Sequence, residues 1–235
     1  MNIMKTIKEI YDLFLKQYGP QGWWPLISHK GSNPTKSGSI NGYHPGDYTF
    51  PRTREQVFEI CLGTILGQNT AWPNVEKALL NLNKLDVIDP KRLLSLDEDV
   101  LKDAIRPAGY FNQKAKKLKG FAKFFLHLRG RIPKRQELLD IWGIGPETAD
   151  SMLLYAFKVP TFVIDAYTRR IFANLGHIDE KADYEHIKAL FENNLKSDLI
   201  MFQEYHALIV EHAKTDRKIK SHSGDLRIRN RRKTS

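Results

Sequence analysis

Residues 140–172 read DIWGIGPETADSMLLYAFKVPTFVIDAYTRRIF. Leu138–Ile141 closes one short helical pattern, Gly143-Ile144-Gly145 turns, and Pro146 stands where a helix accepts proline, at its first position. Glycines at such a turn let backbone N–H groups approach an anion, and the N-terminus of the following helix adds partial positive charge. A phosphate held this way fixes the position of a duplex without reading its sequence. A Gly-x-Gly turn alone is ordinary; here it lies between two helical patterns, with apolar residues at Leu139, Ile141 and Ile144. Further on, Asp165 opens Asp-Ala-Tyr-Thr-Arg-Arg, a helix N-terminus with an acidic cap.

Helical spacing extends outward from this stretch in both directions. Val57, Cys61 and Ile65 share a face with Phe58, Leu62 and Leu66, and the run closes at Gly67. Thr70 is placed to cap the next helix, whose apolar face holds Val75, Ala78, Leu79 and Leu82. Asp89-Pro90 caps and opens another, and Leu101 and Ile105 fit a further one. Lys114–Leu128 is amphipathic, with Ala115, Leu118, Ala122 and Phe125 on one side and lysines elsewhere. Residues 184–195 and 200–214 also read as helices, and Thr161–Ile164 is strand-like but has no evident partner. Residues 30–51 are rich in Gly, Ser, Asn and Pro and predict a long loop; they follow Gly22-Trp23-Trp24-Pro25, an aromatic pair expected at the end of the first helix.

The totals narrow the class. The 235 residues are 41% hydrophobic and 27% charged, enough for a folded core. No apolar run approaches the length of a membrane span, and MNIMKTIKEIYDLFLKQY alternates charged and apolar groups unlike a signal peptide, so a cytoplasmic protein is expected. Cys61, the single cysteine, reads as a small buried side chain and excludes internal disulfides and Cys-ligated zinc or iron–sulfur clusters. The net charge of +10 is concentrated in residues 214–235, which carry +7, and in QKAKKLKGFAKFF at 113–125. Such clusters favour a polyanion, nucleic acid first, although a solvated tail and the polar face of a helix read the same way.

LLDIWGIGPETADSMLLYAF…VIDAYTRRI resembles the helix–hairpin–helix DNA glycosylase superfamily, on its endonuclease III side. Leu66-Gly67-Gln68-Asn69-Thr70, Gly109-Tyr110-Phe111-Asn112-Gln113-Lys114-Ala115-Lys116 and His206-Ala207-Leu208-Ile209-Val210-Glu211-His212 match three further family segments in order, so the resemblance covers roughly residues 55–217. It implies an all-α fold of two helical subdomains flanking a DNA-binding cleft. One is a six-helix barrel with the hairpin, residues 55–159; the other combines residues 1–54 and 160–217; residues 218–235 form a basic tail.

The resemblance assigns Gly143, Ile144, Gly145 and Thr148 to a hairpin binding DNA phosphate, with a monovalent cation admissible there. Asp165, 18 residues past Glu147, takes the place of the catalytic aspartate that stabilises positive charge on the sugar as the base leaves, in addition to capping its helix. Glu147 occupies the position where strand-cutting members carry a lysine that forms a Schiff base at C1′. Glutamate cannot form that imine, which implies a monofunctional glycosylase using water; a first-turn acid is also favoured there by the helix dipole. The family's cluster cysteines fall on Arg217, Gly224, Arg227 and Lys233, so no iron–sulfur cluster is expected and no other cofactor is implied.

Gln68 is the expected wedge into the DNA stack, or else a polar helix end. Trp23, Trp24 and Pro25 resemble the Trp-Trp-Pro wall of the cluster-less bacterial 3-methyladenine DNA glycosylases, where aromatic faces stack on a flipped, cationic base; ordinary core packing beneath the loop is the alternative. Tyr167 is a further candidate pocket wall, and Lys214 either touches base or phosphate or complements the end of its helix. The implied partner is double-stranded DNA containing a damaged base, an alkylated purine in this reading, bound by a monomer. The alternatives are an endonuclease III-like glycosylase with abasic-site lyase activity on oxidised or mismatched bases, and a non-catalytic helix–hairpin–helix DNA-binding protein.

Overall fold

The computed structural model describes residues 5–35, 41–179 and 181–219. Among these residues there are helices and connecting segments but no strand. Helix α1 (Ile7–Tyr18) opens with a reciprocal cap, in which Thr6 accepts from Glu9 N at 3.2 Å and Glu9 accepts from Thr6 N at 2.7 Å. Its buried stripe, Ile7, Ile10, Tyr11 and Phe14, faces α11 (Leu199–Ile219). Helix α9 (Ala166–Asn174) also packs on α11, and α10 (Tyr184–Asn194) reaches α1. Stacked Phe162 and Phe191, with Phe172 and Tyr205 edge-on, fill the space between them.

A second group of helices surrounds α2 (Arg54–Gly67), which is buried continuously from Phe58 to Leu66, as a helix apolar on all sides must be. Around it lie α3 (Trp72–Lys84) and α6 (Phe111–Leu128). Two short helices, α4 (Pro90–Ser95) and α5 (Glu98–Ala104), pack against α6. Each is started by an aspartate, Asp89 or Asp97, whose carboxylate accepts two backbone N–H groups. Helices α7 (Arg135–Leu139) and α8 (Pro146–Ser151) flank the glycine turn, and α8 runs on into a π-helical turn, Met152–Ala156. That turn touches both α2 and α11 and so joins the two groups.

Residues 19–53 contain no helix among those described. The segment folds back on itself: Leu26 N donates to Gly42 O at 3.0 Å and His44 N to Gly22 O at 3.1 Å. Gly22 has φ +67°, and a Cβ there would stand 2.2 Å from Pro45 N, so only glycine fits. Residues 36–40 and the tail beyond Ile219 lie outside the described residues.

Four expectations are corrected. Thr70 does not cap α3, whose N-cap is Ala71; its hydroxyl donates instead to Ala108 O at 2.6 Å. Lys114 is not on the polar face of α6 but buried, donating to Leu66 O, Thr70 Oγ1 and Ala108 O at 2.7–2.8 Å. Trp23 and Trp24 do not end the first helix, which stops at Tyr18. Lys214 does not end α11, which continues to Ile219, and its Nζ lies 3.4 Å from Glu211 instead of on terminal carbonyls. Thr161–Ile164 is extended as its composition implies, but side chains stand in for a strand partner: Phe162 N donates to Glu192 at 2.9 Å and Ile164 N to Tyr184 Oη at 3.3 Å.

Candidate active site

The hairpin is a rigid unit. Arg135 on α7 grips Asp150 on α8 through two parallel N–H···O bonds of 2.8 and 3.0 Å, and Tyr184 Oη donates to the same carboxylate at 2.9 Å. Asp150 is fully buried, so this pairing fixes the angle between the helices. Gly143 turns the chain with φ +83°, with the stem of Lys117 lying against it. Ile144 is buried and donates to Ile141 O at 3.0 Å, and Gly145 caps α8 from an extended conformation.

Gln68, the residue after α2, reaches across to this hairpin. Its Nε2 donates to Gly143 O at 3.1 Å and to Thr148 Oγ1 at 3.0 Å, while Lys117 Nζ donates to its Oε1 at 2.5 Å. Thr148 is therefore engaged with Gln68 through its hydroxyl, and Gln68, the hairpin and the Lys117 cation sit together.

Two carboxylates face the same region from two helix starts. Asp165 is the N-cap of α9, and its Oδ1 accepts from Thr168 N at 2.7 Å and Thr168 Oγ1 at 2.8 Å. Its Oδ2 lies 3.7 Å from His206 Nε2. Burial works against its charge, but His206 and the Thr168 donors outweigh burial and hold the carboxyl below its usual range. Glu147 stands in the first turn of α8. Solvent reaches it, yet desolvation by the surrounding protein first, and the charge of Asp165 second, push its pKa up to about 7, against the pull of His206 and Arg169.

Beside Asp165 an aromatic corner forms. Trp23 meets His206 edge-on, with centroids 5.7 Å apart, and Trp24 stands 5.3 Å from Tyr155 and 5.4 Å from Trp72. Trp23 and Trp24 are half-buried and Pro25 is buried. The wall is braced from three elements: Glu204 on α11 accepts from Gln21 N and Gly22 N, Glu59 on α2 accepts from Ile27 N at 2.7 Å, and His44 Nε2 lies 3.0 Å from Trp24 O. The long loop thus supports the wall through His44. Tyr167 is half-buried on α9 under the guanidinium of Arg170, which lies 5.4 Å from its ring centre.

Sequence reading did not single out Tyr155, His206, Trp72, Lys114 or Lys117. His206 and Lys114 lay inside quoted segments, but their neighbours come from residues about 40 to 50 positions away in the chain, Leu66 and Thr70 for Lys114 and Tyr155 for His206. Trp72 was the one with a local signal, a large aromatic two residues past Thr70.

The sequence profile described as "HhH-GPD superfamily base excision DNA repair protein" matches residues 62–197. A Methanocaldococcus jannaschii protein named "Putative DNA repair glycosylase MJ1434" is 43% identical over 224 residues, spanning 91% of this chain and 89% of its own. Endonuclease III of Sulfolobus acidocaldarius is 33% identical, over 71% of this chain and 76% of its own. Among solved structures, the H. pylori 3-methyladenine DNA glycosylase bound to 1,N6-ethenoadenine superposes with a TM-score of 0.67 at 26% identity, covering 88% of this chain and 97% of that one. A non-covalent endonuclease III–DNA complex shares the fold, with a TM-score of 0.67 at 17% identity over 89% and 85% of the two chains. An all-helical chain with this hairpin and these relatives belongs to the HhH-GPD superfamily of base excision DNA repair glycosylases.

Proposed function

We propose that the protein is a monofunctional DNA glycosylase that hydrolyses the N-glycosidic bond of a damaged base rotated out of the duplex, and that the base is an alkylated purine. The single observation carrying the reading is the pairing of Asp165 with Glu147: a fixed, ionised carboxylate beside a position that holds no amine. As the C1′–N bond breaks, its electrons leave with the base and positive charge grows on the sugar; Asp165 stabilises that charge, and a water oxygen then bonds to C1′ and gives up a proton to solvent. Glu147 has no nitrogen with which to form an imine, so the strand is left intact at an abasic site.

The aromatic corner supports the choice of base. Trp23 and Trp24, half-buried and backed by the buried ring of Tyr155, offer π-faces and edges and few hydrogen-bonding groups, a surface suited to a base whose glycosidic bond is already weakened by alkylation. The resemblance to an H. pylori enzyme described as a 3-methyladenine glycosylase points the same way. In this reading Gly143, Ile144, Gly145 and Thr148 hold a phosphate, Gln68 fills the gap left by the base, and Tyr167 and Lys214 flank the cleft. A second reading, glycosylase with lyase activity on oxidised bases, draws on the endonuclease III relatives.

The test offers DNA treated with a methylating agent and identifies the bases released. Methylated purines are expected in the free fraction, and release of none sinks the specificity. Asp165→Asn is expected to abolish release, a loss of at least about 100-fold, while DNA affinity stays or improves; undiminished release removes Asp165 from its role.

A further inference from the structure

His206 stands on α11, and its ring touches several walls of the site at once. Its Nδ1 lies 2.8 Å from Tyr155 Oη, and that hydroxyl donates to Gln203 O at 3.0 Å. The tyrosine's hydrogen is committed to the carbonyl, so its oxygen accepts, and the hydrogen between the two rings belongs to Nδ1. This fixes the ring with Nε2 toward Asp165. Nε2 is buried without a hydrogen bond in the present geometry, and Oδ2 lies 3.7 Å away, just beyond full bonding distance. Oδ1 is already held by Thr168. A buried carboxylate oxygen and a buried imidazole nitrogen facing each other are costly unless a hydrogen lies between them.

We propose that His206 is the positioning residue for Asp165: carrying a hydrogen on each ring nitrogen, it holds Oδ2 as Thr168 holds Oδ1 and keeps the carboxylate ionised and aimed. Tyr155, through Gln203 O, is the anchor that fixes the ring. The charged and titratable groups around the imidazole are Asp165 from α9, Glu147 from α8 and Tyr155 from the π-turn; Trp23 is neutral. The contribution to catalysis rests on the reading of Asp165 above, whereas the pairing itself does not.

The test titrates the Asp165 carboxyl by carbon NMR in full-length protein, the signal being assigned by its loss in Asp165→Asn. In His206→Leu the Asp165 pKa is expected to rise, because the hydrogen bond and the charge that lower it are both gone. His206→Gln keeps a donor without the charge and should fall between. Single-turnover release from methylated DNA should drop about 10- to 100-fold in His206→Leu and less in His206→Gln, as loss of an orienting partner typically does, with DNA affinity unchanged. The reacting form is the ionised carboxylate, so the acid limb of the rate profile should move to higher pH. Where His206→Leu does not fold, His206→Gln and Tyr155→Phe, which removes the ring's anchor, carry the same titration. An Asp165 titration unaltered in every folded variant overturns the proposal. If wild-type protein releases no base and yet the titration shifts, the glycosylase reading falls and the pairing stands.

Discussion

Glu147 stands in the first turn of α8 beside Asp165, where the proposed chemistry turns on one functional group. An amine there attacks C1′ and is held as an imine; a carboxyl cannot be. The Glu147 environment would treat a lysine in two opposite ways. The same burial that raises the glutamate would lower an ammonium, and the Asp165 charge that raises the glutamate would retain the lysine proton. The two partly cancel, leaving some free amine near neutral pH. Glu147→Lys is therefore expected to form a covalent complex with abasic-site DNA that borohydride traps, and wild-type protein is expected to form none. A complex trapped by wild-type protein would assign the amine elsewhere and overturn the monofunctional reading. The places of Asp165 and Glu147 at two helix starts were legible in the sequence because caps and first-turn acids are local chemistry, while the roles given to them come from the resemblance. His206 was not legible, because its role depends on Tyr155 and Asp165, brought to it by the π-turn and by α9.

At the scale of elements, α6 shows how far local pattern reaches. Its apolar stripe was legible, and so were the start of α4 at Asp89-Pro90 and the end of α2 at Gly67, since caps and periodicity are local chemistry. Lys114 was misread because a lysine among lysines looks like polar surface. It is 2% exposed and gathers the end of α2, the 70s loop and the 3₁₀ turn Arg106–Ala108 through three neutral oxygens. Desolvation first, and Lys117 second, lower its pKa to about 8. Unfolded, it titrates near the ordinary lysine value of 10.5, so between the two values the unfolded chain binds more protons and stability rises with pH. Lys114→Met lacks this titration, removes the side-chain donor to Leu66 O and leaves Ala108 O to the Thr70 hydroxyl alone. The stability gap between wild type and Lys114→Met is expected to widen from pH 8 to pH 10.5, by up to about 3 kcal/mol. Urea midpoints of the two proteins across that range measure it, and a gap that stays flat shows that Lys114 is not desolvated in the folded state.

Across the whole molecule the two helical groups meet at the π-turn Met152–Ala156, which places the hairpin, Gln68, Asp165 and the aromatic corner around one region. Such a convergence is invisible to periodicity, because it depends on which helices touch; only the resemblance implied it. Charge is the other property of the whole. Residues 221–235 carry five Lys or Arg and one Asp. If those cations meet phosphates, each contributes to affinity by releasing a counterion, and the contribution fades as salt rises. Phosphate contacts carry no base identity, so they set how tightly DNA is held and not which base is removed. Deleting residues 221–235 is expected to weaken binding most at low salt. The slope of log affinity against log salt should become shallower by up to about 4, near the 0.9 per phosphate expected for five neutralised contacts on duplex DNA. The ranking of released bases should not change. Binding measured between 50 and 250 mM salt decides it: parallel lines for the two proteins would mean that the tail touches no DNA, and a changed ranking of bases would mean that it reaches the site where the base is chosen.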